Sequence, residues 1–218
     1  MPLEGHRAPR RNYRVVFLGS TGVGKTSIIN QLLYENFPEQ HKETLEELHR
    51  HVLIFDTMAV EIDILDTSGT HEFPAMRHLA ITTGNAFLLV YSVKNQESFA
   101  NIKFLINEIK EYKQDNDYFI LVVANKSDLL KNENKGNALD ESVVCFDWEE
   151  KFVTISAKTG DNIKNVLEIL KENVEKKIID ENKKLPHLRR ISMPAMISKH
   201  GHEKLPSMKR KARLYSAD

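Results

Sequence analysis

A single cysteine, Cys145, is all that the 218 residues contain, so no disulfide can form within the chain and a reducing compartment is the expectation. Long apolar runs are missing too. No stretch approaches the ~18 residues that cross a bilayer. The opening segment MPLEGHRAPRRNYR has no apolar run before Val15 and does not read as a secretory signal. Net charge is absent, since 31 Lys/Arg balance 31 Asp/Glu. That balance conceals an asymmetry. From Lys183 to Asp218 there are ten Lys/Arg against two acids, and residues 1–14 hold four against one, which leaves the body between them acidic. A basic tail on an acidic body points to a tail that meets anionic partners, while the body offers no basic field for nucleic acid. With 41% hydrophobic residues, the chain is long enough for one well-cored domain plus modest tails, and it shows no internal repeat.

Several short apolar segments are present instead. Tyr13–Gly19 (YRVVFLG) stops at a glycine-rich loop and reads as a buried strand, and Lys25–Tyr34 reads as the helix after it. Arg50–Asp56 and Ala59–Leu65 are β-rich and separated by a turn; in AVEIDIL, Val60, Ile62 and Ile64 alternate with acids, as in a half-buried strand. Ala86–Ser92 (AFLLVYS) and Phe119–Ala124 (FILVVA) are continuous apolar runs of strands covered on both faces. Between them Phe99, Ile102, Leu105, Ile106 and Ile109 keep helical spacing. Phe152–Ile155 reads as a last strand, and Ile163, Val166, Leu167, Leu170 and Val174 as the stripe of a final helix. Alternating strands and helices predict an α/β fold with a mostly parallel, helix-covered sheet. Lys131–Asp140 reads as an Asn/Lys-rich loop, and the stretch after it predicts no helix. The boundaries expected are a flexible basic extension over 1–12, a folded domain over 13–182 and a disordered basic tail over 183–218.

Gly19-Ser20-Thr21-Gly22-Val23-Gly24-Lys25-Thr26 follows a predicted strand and opens a predicted helix, the context that gives G-x-x-x-x-G-K-[ST] its meaning. Glycines let backbone N–H groups converge on phosphate oxygens, and the helix N-terminus favours the anion. The lysine adds a cation, and the threonine hydroxyl can ligate Mg²⁺. The loop alone does not choose between ATP and GTP.

Three later segments choose. Asn125-Lys126-Ser127-Asp128 follows the Phe119–Ala124 strand. A carboxylate at Asp128 can accept from guanine's N1–H and exocyclic amine, and adenine offers no matching pair. Ser156-Ala157-Lys158 ends the last strand, where a backbone N–H can donate to guanine O6. Asp66-Thr67-Ser68-Gly69 ends the Ala59–Leu65 strand, placed for a metal-side carboxylate and a glycine that senses the γ-phosphate. All fall at carboxyl ends of strands, the ligand crevice of an open α/β sheet. An ATP-using kinase-like enzyme fails on Asn125–Asp128.

These motifs make the chain resemble a Ras-superfamily small GTPase over Arg14–Asn182, and DTSGTHEFPAMRHLAITTGNAFLLVYSV is especially similar to the Di-Ras and Dexras/Rhes branch. The resemblance implies a P-loop G domain with a six-stranded, mostly parallel sheet, its second strand antiparallel, and GTP/GDP with Mg²⁺ as ligands. It implies that Gly22, Val23, Gly24, Lys25, Thr26 and Ser27 cradle the phosphates. Thr26 and Thr44 would sit on Mg²⁺, with Asp66 holding it through water. Lys25, Thr44, Gly69 and Thr70 would surround the reacting phosphate. Phe37 and Lys126 would flank the guanine, and Asn125, Asp128, Ser156, Ala157 and Lys158 would fix it. His41–His49 would be the first switch and Gly69–His78 the second. The partners implied are an effector with a Ras-binding-type domain, an exchange factor and a GAP, met by a monomer.

Two departures bear on chemistry. Thr70 stands where Ras has the glutamine that orients water, and Thr21 stands where Ras has glycine, crowding the entry of a GAP arginine. Slow hydrolysis is the expectation, because such a finger is worth on the order of 10³–10⁵ in rate. Rap proteins also carry threonine after the glycine and are served by a GAP that supplies its own amide. The rival reading is a pseudo-GTPase that holds nucleotide statically. The tail ends Tyr-Ser-Ala-Asp without a C-a-a-X cysteine, and Pro2 excludes N-myristoylation, so a cytoplasmic protein without a prenyl anchor is expected. The cluster Lys209-Arg210-Lys211-Ala212-Arg213 would hold anionic lipid weakly or address the nucleus. Arg189-Arg190-Ile191-Ser192-Met193-Pro194 resembles a 14-3-3 site awaiting phosphorylation at Ser192.

Overall fold

The computed structural model describes residues 13–37, 44, 46–55, 59–69, 74–113, 117–130 and 134–184, with side chains for all of these except 134–137 and 182–184. The elements are β1 (Tyr13–Leu18), α1 (Lys25–Tyr34), β2 (Glu46–Ile54), β3 (Ala59–Thr67), α2 (Pro74–Thr83), β4 (Ala86–Ser92), α3 (Gln96–Tyr112), β5 (Phe119–Asn125), α4 (Asn134–Ser142), β6 (Lys151–Thr154) and α5 (Ile163–Lys184). One compact unit runs to Asp180; of the second, residues 181–184 are described and are helical.

The six strands lie in the order β2-β3-β1-β4-β5-β6. β2 runs antiparallel to β3, from Glu46 opposite Thr67 to Ile54 opposite Ala59, and every other neighbour pair is parallel. The order reverses at β1, whose neighbours are β3 on one side and β4 on the other, so a crevice opens beyond the carboxyl ends of these strands.

The uninterrupted apolar runs of β1, β4 and β5 follow from cover on both faces, because successive strand residues point to opposite sides. Val15, Phe17, Leu88, Val90, Leu121 and Val123 pack with Ile28 and Ile29 of α1 and with Val166, Leu170 and Val174 of α5. Val16, Leu18, Phe87, Leu89, Tyr91 and Val122 form the other layer with Ile81 of α2 and with Ile102, Leu105, Ile106 and Ile109 of α3. Helix α3 starts firmly: the Asn95 side chain accepts from Ser98 N at 3.0 Å, and Glu97 adds an acid to the first turn.

Three elements differ from expectation. β2 begins at Glu46, four residues before Arg50, because its ladder with β3 continues to Thr67. α2 occupies part of the stretch read only as a switch, with Pro74 at its first position, where the missing N–H costs nothing. α4 lies where no helix was expected and continues into a π-helical turn over Val143–Asp147. Among its described side chains Asp140 is buried and its Oδ2 accepts from Tyr91 Oη at 2.8 Å, and Val144 in the following turn is fully buried.

Candidate functional site

The loop from Gly19 to Gly24 connects a core strand to the start of α1, and its first glycine is set by sterics. Gly19 has φ +144°, and a Cβ there would stand 2.1 Å from the carbonyl oxygen of Val90 in β4. Helix α1 begins with Gly24 in the left-handed region and has no side-chain cap. Its first N–H groups therefore face the loop without a capping partner, as anion binding requires. Lys25 is buried, and its Nζ donates to the carbonyls of Gly19 (2.9 Å) and Ser20 (3.2 Å). Burial pushes its ammonium down to about 8, with the Asp66 carboxylate opposing the shift. Val23 is buried, whereas Gly22 and Thr21 are exposed and Ser27 is half-buried.

At the end of β3, Asp66 is wholly buried. Its Oδ2 accepts from the Thr26 hydroxyl at 2.6 Å, and that hydroxyl lies 2.9 Å from the hydroxyl of Thr44. Its other oxygen, Oδ1, is buried without a hydrogen-bond partner. Desolvation raises the Asp66 carboxyl, opposed by Thr26 and Lys25. An unpartnered buried carboxylate oxygen beside two hydroxyls fits a hard divalent cation, which Mg²⁺ would satisfy with few protein ligands and substrate oxygens. Thr67 Oγ1 donates to the Phe17 carbonyl at 2.7 Å and ties β3 to β1 just behind. Gly69 then presses on the phosphate loop, where an added Cβ would lie 2.4 Å from Thr21 N and 2.6 Å from the Ser20 carbonyl carbon.

The base side is assembled around Asn125, the buried last residue of β5. Its Nδ2 donates to the Val23 carbonyl at 2.9 Å. Its Oδ1 accepts from Lys126 N (2.8 Å) and Ala157 N (3.1 Å). One side chain thus ties the phosphate loop to both loops proposed for the base. Lys126, at φ +67°, stretches its Nζ to the Gly22 carbonyl at 2.6 Å. The buried Ser156 hydroxyl donates to Asp128 Oδ1 at 2.6 Å and accepts from Thr159 N, so the exposed Asp128 carboxylate is held by the loop after β6.

Lys25, Thr26, Thr44 and Asp66 are thus brought together, and so are Asn125, Lys126, Asp128, Ser156 and Ala157. Phe37, 37% exposed, follows α1, and Lys158 is exposed on its turn; neither makes a side-chain hydrogen bond to these groups. Thr70 lies outside the described residues, as do His41–Glu43 of the first switch, Ser192 and Lys209–Arg213. One contact had no sequence motif to announce it: Asn101 of α3 donates from Nδ2 to the Ser20 hydroxyl at 3.2 Å.

The family model described as "Ras family" matches residues 14–176. The GTP-binding protein Di-Ras2 of Mus musculus is 35% identical over 167 residues, 76% of this chain and 83% of that protein. The GTP-binding protein Rhes of Mus musculus is 35% identical over 170 residues, 74% of this chain, and the match spans 64% of that longer relative. Protein ras-1 of Neurospora crassa is 33% identical over 179 residues, 80% of each chain.

Proposed function

This chain belongs to the Ras family, and on that premise we propose that it is a signalling switch that binds GTP or GDP with Mg²⁺ and hydrolyses GTP slowly. The observation that carries the reading is the base loop. Asp128 offers a carboxylate to the guanine edge, Ser156 fixes its direction, and Asn125 fastens that loop to the phosphate cradle. Guanine specificity and phosphate binding are then properties of one connected unit.

In the hydrolysis proposed, a water oxygen bonds to the γ-phosphorus, the β–γ bridge bond breaks, and GDP leaves as inorganic phosphate takes up the water's proton. Lys25 exchanges the carbonyls of Gly19 and Ser20 for phosphate oxygens. Thr26, Thr44 and Asp66 would hold Mg²⁺, which when bound neutralises charge between the β- and γ-phosphates. The slow rate is assigned to Thr70, which lacks the amide that orients water, and to Thr21, whose side chain stands where a GAP arginine would enter. The same two residues favour the second reading, a pseudo-GTPase with static occupancy.

The effector surface we assign to β2, which lies at the sheet edge and exposes Leu48, Val52 and Ile54 along with the acids Glu46 and Glu47. A basic Ras-binding-type domain would add its own strand there. A monomer in the cytoplasm, weak anionic-lipid contact through the basic tail and 14-3-3 docking at phosphorylated Ser192 complete the proposal. Single-turnover hydrolysis of radiolabelled GTP by the purified protein tests it: slow but measurable conversion to GDP supports the switch. Tight GTP binding with no turnover, alone or with GAP extracts, would establish the pseudo-GTPase.

A further inference from the structure

We propose that Asn101 is a positioning residue that couples helix α3 to the phosphate loop and, through it, to the γ-phosphate sensor. The inference rests on the guanine-nucleotide reading of this site. Three contacts converge on Ser20 and the peptide that joins it to Thr21. From α3, Asn101 Nδ2 donates to the Ser20 hydroxyl at 3.2 Å. From within the loop, Lys25 Nζ donates to the Ser20 carbonyl at 3.2 Å. From the end of β3, Gly69 lies so close that no side chain fits between it and Thr21 N.

Asn101 can act as a fixed strut because the turn before it is pinned. Ser98 Oγ accepts from Ser92 N at 3.1 Å and donates to the Asn95 carbonyl at 2.6 Å, while Val93 N donates to the Asn125 carbonyl at 3.1 Å. The start of α3 is therefore fastened to the ends of β4 and β5, and Asn101 follows Ser98 by three residues on the next turn. Bound triphosphate draws Lys25 away from the Ser20 carbonyl. The Asn101 bond is then a polar contact from outside the loop that, through Ser20, keeps the peptide facing Gly69. Losing it should let the Ser20–Thr21 peptide turn, which weakens the grip on the γ-phosphate more than the grip on GDP. GDP keeps its base contacts and its β-phosphate cradle.

The test uses the full-length protein in four forms: wild type, Asn101→Ala, Ser20→Ala and the double variant. Dissociation of fluorescent GDP and of a fluorescent non-hydrolysable GTP analogue is followed in each. One neutral hydrogen bond is worth about two- to tenfold. Each single change should speed release of the analogue by that factor relative to GDP, and the double variant should be no faster than either single. Ser20→Thr, which keeps the hydroxyl, should restore wild-type release. Multiplying effects in the double variant would show that Asn101 acts through the packing of α3, and unchanged ratios would show that it does not act; either overturns the inference. Should Asn101→Ala fail to fold, Ser20→Ala reads the same bond from the loop side, and its indifference would be equally fatal. A wild-type protein that binds no guanine nucleotide would overturn the reading of the site itself.

Discussion

Asn125→Ala is the most informative single change. It removes a donor to Val23 O and an acceptor shared by Lys126 N and Ala157 N. Three net hydrogen bonds at about 0.5–1.5 kcal/mol each give a loss near 3 kcal/mol. The Val23 carbonyl and Ala157 N–H belong to residues only 2% exposed, so the groups left behind are poorly hydrated, which raises the loss. Water entering the vacated space offsets some of it. For a domain of this size, about 3 kcal/mol corresponds to a fall in Tm of roughly 10 °C. Urea unfolding of the nucleotide-free protein, with and without saturating GDP, is the assay. The variant should be less stable by that amount and should also lose most of the stabilisation that GDP confers, because the phosphate and base loops are no longer tied together. Asn125→Asp separates chemistry from volume. It keeps the acceptor but sets carboxylate against the Val23 carbonyl, so its stability should recover as pH falls and the acid becomes a donor. A loss below about 1 kcal/mol for Asn125→Ala, with GDP stabilisation intact, would refute the reasoning.

Asp128→Asn should shift preference from guanine to xanthine nucleotide, whose edge carries an acceptor in place of the amine; unchanged GTP preference in a competition titration would sink the assignment. Thr70→Gln should raise intrinsic single-turnover hydrolysis, and Thr21→Gly should chiefly restore sensitivity to an arginine-bearing GAP; wild-type turnover equal to that of a glutamine-bearing Ras would show the argument wrong. Charge reversal at Glu46 and Glu47 should slow effector association most at low salt, read by stopped-flow at two ionic strengths. Asp140, whose carboxyl is raised mainly by burial, disfavours the charged form in the fold. Stability should therefore decline as pH rises from the ordinary carboxylate value through the raised one, and Asp140→Asn, which still accepts from Tyr91, should flatten that decline in pH-dependent melts.

Much of the site was legible because its chemistry depends on short spacings at strand ends. Lys25, Thr26, Asp66, Asn125, Asp128 and Ala157 each follow an apolar run that announces itself, and β1, α1 and β4 fall within a residue of their sequence reading. The two segments whose patterns did not announce them lack an apolar periodicity. Glu46–His49 is an edge-strand segment exposed largely on both faces, so it shows no burial alternation to recognise. In α4, of the residues whose burial is described, 138–142, Asp140 alone is buried, and a polar anchor leaves no apolar stripe to read. Asn101 is invisible for a different reason: its partner lies 81 positions away, and only the packing of α3 beside the phosphate loop makes them neighbours.

Gly19 and Gly69 both refuse a side chain, yet what each one touches divides their fates in a population of variants. A methyl at Gly19 drives into the Val90 carbonyl, part of the central sheet, which has nowhere to go. Such a change would cost the fold itself and leave little native protein to measure. A methyl at Gly69 pushes instead on the backbone of Ser20 and Thr21, outside the packed sheet, and would strain the contacts that Asn101 and Lys25 make there. That protein would fold, with its phosphate loop held away from the end of β3. The first change would deplete the folded protein and the second would leave it folded with a displaced phosphate loop, although both begin from one added carbon.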